Sequence, residues 1–232
     1  MRKIGLIGGM GPESTLDYYN EIINAFKNDK GILNYPEIII YSVNLSEFLD
    51  LMTIKAYDDV VELLVSKLVS LKNAGADFAA ITANTPHMLF DRIKERSPLP
   101  LVSIVEAACA EAKRKGYTNP GLFGTGFTMS GTFYQEVFGR NGLPVVVPDE
   151  DERKIINEKL FSEIELGIFK NETRIMLINS IQKLVDQKQI DSLILGCTEF
   201  PLILTENEYA GIPMLNTTRI HVEAIVKECR LL

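Results

Sequence analysis

The chain reads as an α/β protein made of two similar halves, and three observations predict this. Apolar runs of strand length alternate with helix-period segments through most of the 232 residues, the pattern of a parallel sheet covered by helices. The strand and glycine turn that open the chain are restarted after Asn119-Pro120 by Gly121-Leu122-Phe123-Gly124-Thr125. Two further apolar runs end alike in small polar residues: Asp77-Phe78-Ala79-Ala80-Ile81-Thr82-Ala83-Asn84-Thr85-Pro86-His87 and Ser192-Leu193-Ile194-Leu195-Gly196-Cys197-Thr198-Glu199-Phe200-Pro201. The expected architecture is two subdomains, each a central parallel sheet flanked by helices, related by a pseudo-twofold with a cleft between them. Residues 1–100 with 208–232 are expected to form the first and 101–207 the second.

In chain order, Lys3 to Ile7 is predicted as the first strand. Pro12 to Asn28 follows as a helix, with Pro12 suited to an early helical position and Glu13 to the positive N-terminal end. Ile38 to Val43 is a second strand, Tyr57 to Ala74 a helix, Phe78 to Thr82 a third strand, and Asn84 to Arg96 a turn and helix. Leu101 to Ser103 starts another strand and Ile104 to Lys115 a helix. The second half continues with the strand at Gly121, a helix from Thr132 to Gly139, a short strand at Val145 to Val147 and a polar helical region from Asp149 to Gly167. A helix at Thr173 to Gln187 precedes the Cys197 strand. Ile212 to Leu215 and His221 to Arg230 are a last strand and helix, expected to return to the first half.

Composition narrows the function classes. A formal net charge of -7, with dispersed acidic residues, gives no field that attracts nucleic acid or an anionic membrane. A small-molecule partner is expected. The longest apolar runs fall short of the roughly 20 residues that span a bilayer, and Met1-Arg2-Lys3 leads into a strand rather than a signal peptide, so a cytoplasmic location is expected. Three cysteines form no CxxC pair, and an odd count in a long chain argues for reduced thiols rather than a disulfide framework. With two histidines and no close His/Cys cluster, no structural zinc and no other metal is expected.

The motifs each carry a bland alternative. Gly5-Leu6-Ile7-Gly8-Gly9-Met10-Gly11-Pro12-Glu13-Ser14 sets glycines between a strand and a helix, where backbone N-H groups converge on an anion. The spacing departs from G-x-G-x-x-G, and the second strand ends at Val43-Asn44 without the acidic residue that holds a ribose. A carboxylate cradle fits better than a dinucleotide, and a plain tight turn is the alternative. Cys197 follows a glycine at the C-terminal end of a strand, where open α/β sheets place their sites. Its bland reading is a buried small hydrophobe. Cys109 and Cys229, at helical spacing in apolar faces, are assigned to packing. Asn84 and Thr85 are short polar groups at the mirrored strand end, alternatively an ordinary turn and N-cap. For His87 the alternative is helix-start packing.

Taken together, the chain resembles the aspartate/glutamate racemase family of cofactor-independent enzymes. The anchors are Gly8-Gly9-Met10-Gly11-Pro12-Glu13-Ser14-Thr15, Asn84-Thr85-Pro86-His87, Gly124-Thr125-Gly126-Phe127-Thr128-Met129 with Tyr134, Gly196-Cys197-Thr198-Glu199-Phe200-Pro201, and Pro213-Met214-Leu215-Asn216-Thr217-Thr218 with His221. The resemblance implies a free amino acid as substrate, no cofactor, a homodimer, and two thiols that exchange protons at opposite faces of the α-carbon. Cys197 matches one thiol position. Ala83 falls at the other, where a methyl group neither gives nor takes a proton, and Thr82 is the neighbouring hydroxyl. Met10, Ser14, Asn84, Thr85, Thr125, Thr128, Thr198 and Glu199 are the implied substrate contacts. Basic residues that hold an acidic side chain in family members are replaced by Gly126 and Ile168, which points to a broad or non-acidic substrate or to another arginine that compensates. Asn216 likewise replaces an acidic residue before Thr217-Thr218.

The leading reading is a pyridoxal-phosphate-independent amino-acid racemase with Cys197 as acid/base. Two alternatives stay open: a single-cysteine lyase or decarboxylase on the same fold, and a catalytically silent amino-acid binder.

Overall fold

The computed structural model describes residues 1–27 and 33–231. The expected helix end at Asn28 and the final residue, Leu232, lie outside the described residues. The chain divides into two compact units, one of Met1–Ile104 with the segment from Thr218 onward, the other of Val105–Thr217.

The first unit opens with β1 (Ile4–Gly8), α1 (Pro12–Lys27), β2 (Ile38–Ser42), α2 (Leu45–Thr53) and α3 (Tyr57–Asn73). Then come β3 (Phe78–Ile81), a 3-10 turn at Thr85–Leu89, α4 (Phe90–Arg96) and β4 (Leu101–Val102). The strands run parallel in the order β2-β1-β3-β4, with Ile4 opposite both Ile38 and Phe78. Every residue of β1 and β3 is buried, as expected for central parallel strands covered on both faces, which read as continuous apolar runs. Helix α2 was not anticipated from sequence. Its start is nonetheless written there: the Asn44 side chain accepts the Ser46 N-H at 3.0 Å, and Glu47 follows in the first turn, a capped N-terminus with its favoured acid.

The second unit contains α5 (Ile104–Lys115), which begins on the last residue of the first, β5 (Pro120–Gly124), α6 (Gly126–Ser130), α7 (Phe133–Gly139) and α8 (Glu150–Ser162). A 3-10 turn at Ile164–Leu166, α9 (Asn171–Lys188), β6 (Ser192–Gly196), α10 (Phe200–Ile203), β7 (Glu208–Tyr209) and β8 (Ile212–Asn216) complete it. The sheet order is β5-β6-β8-β7, parallel except for the β7-β8 pair. Val146 makes a single parallel bridge to Gly121 in place of the expected short strand.

One expected boundary is corrected. Residues 208–217 belong with the second unit, because β8 pairs with β6 in register Leu193 to Met214 and Ile194 to Leu215. The return begins at Thr218, within α11 (Thr217–Cys229). That helix inserts Val222, Ile225, Val226 and Cys229 into the core formed by Ile4, Leu6, Tyr18, Ile22 and Phe78. Its end is tied to the chain start: the Arg2 N-H donates to the Cys229 carbonyl at 3.0 Å, and Arg2 pairs with Glu228. Cys109 and Cys229 are buried free thiols, as their packing assignment requires. Among the described residues, no helix is long and apolar enough to cross a membrane.

Candidate functional site

The Cys197 strand is built to stop abruptly. All five residues of β6 are buried, and Gly196 lets the strand lie against β5. A Cβ at that position would stand 2.6 Å from Leu122 Cδ1 and 2.8 Å from the Phe123 carbonyl oxygen. Past the strand, the Cys197 carbonyl accepts the Phe200 N-H at 3.2 Å, so Cys197, Thr198 and Glu199 form one tight turn into α10.

Within that turn the thiol is surrounded by carboxylates. Cys197, 5% exposed, donates from Sγ to Glu199 Oε2 at 2.9 Å, and Glu165 Oε1 stands 3.7 Å from the same sulfur. The Thr198 hydroxyl donates to Glu199 Oε2 at 3.0 Å. Burial raises the Cys197 pKa well above its ordinary value, and the nearby Glu199 and Glu165 charges push it further in that direction. The thiol is therefore the resting form at neutral pH. Burial also raises the Glu165 pKa to about 8, helped by repulsion from Glu199. Glu165 is accordingly held largely as the neutral acid near pH 7, with its Oε1 facing the thiol as an acceptor.

Sequence reasoning had named Glu199 but missed Glu165, which lay unremarked in the polar helical region. Its only local signal is the neighbouring Ile164, which is buried and draws the short turn toward the core, whereas Leu166 on the other side is exposed. Glu163 holds that turn in place. It is buried, accepts from Lys159 at 2.8 Å, Lys170 at 3.2 Å and the Thr173 hydroxyl, and the hydrogen bond from Lys159, with that from Thr173, lowers its pKa to about 2. Two glutamates two residues apart thus have opposite environments.

The β3 end is different. Ala83 is buried and brings only a methyl group. The Thr82 hydroxyl is fully buried and donates to the Ile7 carbonyl at 3.2 Å, which commits its one proton to β1. His87 Nδ1 donates to the Ala83 carbonyl at 2.9 Å, and Nε2 accepts the Ile104 N-H at 3.3 Å. Both ring nitrogens are occupied. Burial lowers the His87 pKa to about 3, with further repulsion from His221, so it is a neutral structural histidine rather than a proton relay. His221 is held likewise, between the Tyr18 hydroxyl at 2.8 Å and the Val102 carbonyl at 3.0 Å.

The other sequence-selected residues are buried within their own units: Met10, Ser14, Asn84 and Thr85 in the first, Thr125, Thr128 and Thr198 in the second. In the first glycine turn, Gly9 has φ +88, and a Cβ there would stand 2.3 Å from the Val43 carbonyl oxygen, so the turn requires glycine. The Gly9 N-H donates to Thr15 Oγ1 at 2.9 Å, while the Ser14 and Thr15 hydroxyls both donate to the Gly11 carbonyl at 3.0 Å. The corresponding turn in the second unit is capped by Thr125, which accepts the Thr128 N-H at 3.1 Å. Beside it the Gly126 N-H donates to Asn157 Oδ1 at 2.6 Å. Neither Gly126 nor the exposed Ile168 brings a cation.

Comparison with known proteins gives the family. The family model for Asp/Glu/Hydantoin racemases matches residues 7–225. The crystal structure of an aspartate racemase homologue from Pyrococcus horikoshii superposes with a TM-score of 0.85 at 34% identity, covering 100% of both chains. A provisionally assigned Asp/Glu racemase from Yersinia pestis superposes with a TM-score of 0.90 at 34% identity, again over 100% of both. The chain is also 24% identical to the broad specificity amino-acid racemase RacX of Bacillus subtilis (strain 168), over 93% of this chain and 92% of that one. By fold, motif order and family match, the chain belongs to the Asp/Glu/Hydantoin racemase family.

Proposed function

We propose that the protein is a pyridoxal-phosphate-independent amino-acid racemase whose substrates have non-acidic side chains, with Cys197 as the acid/base at the α-carbon. The observation that carries this reading is the buried thiol at the end of β6, set between Glu199 Oε2 and Glu165 Oε1. Removing an α-proton requires a thiolate, and the thiol proton has an acceptor in Glu199 at 2.9 Å. Taking the α-proton returns the sulfur to a thiol, and the proton held by Glu199 passes to solvent. General acid-base catalysis of this kind contributes about 100- to 10,000-fold.

The substrate class follows from charge. The Glu199 carboxylate borders the thiol, and Gly126 and Ile168 bring no cation, so an acidic side chain would meet repulsion and lack a partner. A neutral side chain meets neither penalty, and the likeness to a broad specificity racemase from Bacillus subtilis supports the same choice. With a methyl group at residue 83, the second proton is assigned to water.

That methyl group also favours a second reading, in which Cys197 alone protonates a carbanion formed by decarboxylation. Nuclear magnetic resonance in deuterated water tests both. Individual L- and D-amino acids are incubated with the protein and followed for loss of the α-proton signal, with chiral analysis of products. Exchange with inversion is expected for neutral amino acids. Exchange without inversion supports one-sided Cys197 chemistry, and no exchange with any amino acid overturns the racemase.

A further inference from the structure

The turn after β6 gathers three side chains that bind metals. One ligand atom from each of Glu165, Cys197 and Glu199 lies within 4.8 Å of the other two. The sulfur-to-oxygen separations are 2.9 Å to Glu199 and 3.7 Å to Glu165. Tetrahedral zinc with bonds of about 2.3 Å to sulfur and about 2.0 Å to oxygen sets such edges at roughly 3.5 Å, so small side-chain rotations suffice. A separate observation points to a ligand: Glu199 is 3% exposed, and its second oxygen, Oε1, is buried with no hydrogen-bond partner among the described residues. Buried carboxylate oxygens are normally paired or coordinate a metal.

We propose that Glu165, Cys197 and Glu199 form a three-ligand site for one divalent transition-metal ion of borderline softness, represented by Zn2+, with water in the fourth position. The thiolate disfavours Mg2+ and Ca2+, which take oxygen ligands, while the two carboxylates disfavour a purely soft ion. Such a three-ligand set with one open position is the arrangement of accessible rather than closed zinc sites. On binding, the sulfur-metal bond and the Glu165 oxygen-metal bond form as the thiol and Glu165 protons leave to solvent. An occupied site then has no free thiolate for an α-proton, so the ion acts as an off-switch. That consequence rests on the racemase reading; the binding itself does not.

The test uses Co2+ as a spectroscopic probe and Zn2+ in calorimetric titration of the full chain. One ion per chain is expected, with a thiolate-to-cobalt charge-transfer band that disappears in Cys197→Ser. Glu199→Gln and Glu165→Gln should each weaken Zn2+ binding about tenfold or more, the scale on which metal sites respond to loss of a supporting group. Cys109→Ala and Cys229→Ala should leave band and affinity unchanged. Absence of stoichiometric binding, or binding that survives both Cys197→Ser and Glu199→Gln, overturns the proposal. Because Glu165 is only partly buried, Glu165→Gln remains informative if Glu199→Gln fails to fold. Cobalt binding is read without turnover, so a chain that binds the ion but exchanges no α-proton keeps the metal site and loses the racemase.

Discussion

Strands β3 and β6 are both fully buried parallel strands near the middle of their sheets, yet they deliver opposite chemistry at their C-terminal ends. After β3, the groups surrounding Ala83 are committed: Thr82 to the Ile7 carbonyl, and His87 to the Ala83 carbonyl and the Ile104 N-H. After β6, Cys197 meets two glutamates, and a buried oxygen of Glu199 has no partner among the described residues. One end is electrostatically quiet. The other buries two acidic side chains beside a thiol, which raises the Glu165 pKa to about 8, and such tension is characteristic of sites where pKa values are tuned for work.

The sharpest way to break this contrast is to silence the charged end. Cys197→Ser should lower α-proton exchange by about 1,000-fold, within the range for losing a positioned acid/base, while a silent binder would keep its affinity in an equilibrium measurement. Arming the quiet end is the converse. Ala83→Cys should raise inversion relative to exchange at least about tenfold, measured by chiral analysis beside deuterium uptake. No rise in a stably folded variant would remove residue 83 as the limit.

Stability separates the two ends more gently. Gly196→Ala would bring a Cβ within 2.6 Å of Leu122 Cδ1 and 2.8 Å of the Phe123 carbonyl oxygen, so it should cost about 1 to 3 kcal/mol in a denaturant titration, as overpacking does. A smaller effect distinguishes Glu163 from Glu165. Glu165 is raised from 4.5 to about 8 on folding, so the folded state holds more protons in that window. Its contribution is fully present below pH 4.5 and is lost as pH rises toward 8. Glu163 is lowered from 4.5 to about 2, so its contribution is present above pH 4.5 and lost as pH falls through 2. Unfolding midpoints across pH should lose the neutral-range slope in Glu165→Gln and the acid-range slope in Glu163→Gln. Equal profiles for the two variants would contradict the opposite environments.

Much of this was legible in the sequence, for identifiable reasons. Central parallel strands are buried on both faces, so β1, β3 and β6 stand out as uninterrupted runs of apolar and small residues. The family anchors lie at those strand ends, and Cys197 could be selected because it follows a glycine at the C-terminal end of a strand, where open α/β sheets place their sites. Sheet membership was harder. Nothing in Ile212 to Asn216 records which sheet it joins, because a short apolar strand satisfies either, and the pairing with β6 is decided at long range. Glu165 was hidden for a related reason: in a segment crowded with Glu and Lys, a glutamate that turns inward looks like those that face water. Helix α2 needed only its Asn44 cap to be read.

The tie between Arg2 and the Cys229 segment bears on how the molecule is made. The first unit receives α11 from the far end of the chain, whereas the second is a continuous stretch, Val105–Thr217. During synthesis the middle of the polypeptide therefore has all its parts before the outer portion does. The early β-α-β segment must wait with Ile4, Leu6 and Tyr18 missing the cover of Val222 and Ile225. Exposed apolar surface in a waiting intermediate is what chaperones hold and what aggregates. A chain ending at residue 217 and held on the ribosome through an unstructured linker long enough to clear the exit tunnel should thus show the Val105–Thr217 unit protected from protease while the first unit, lacking α11, is still cleaved.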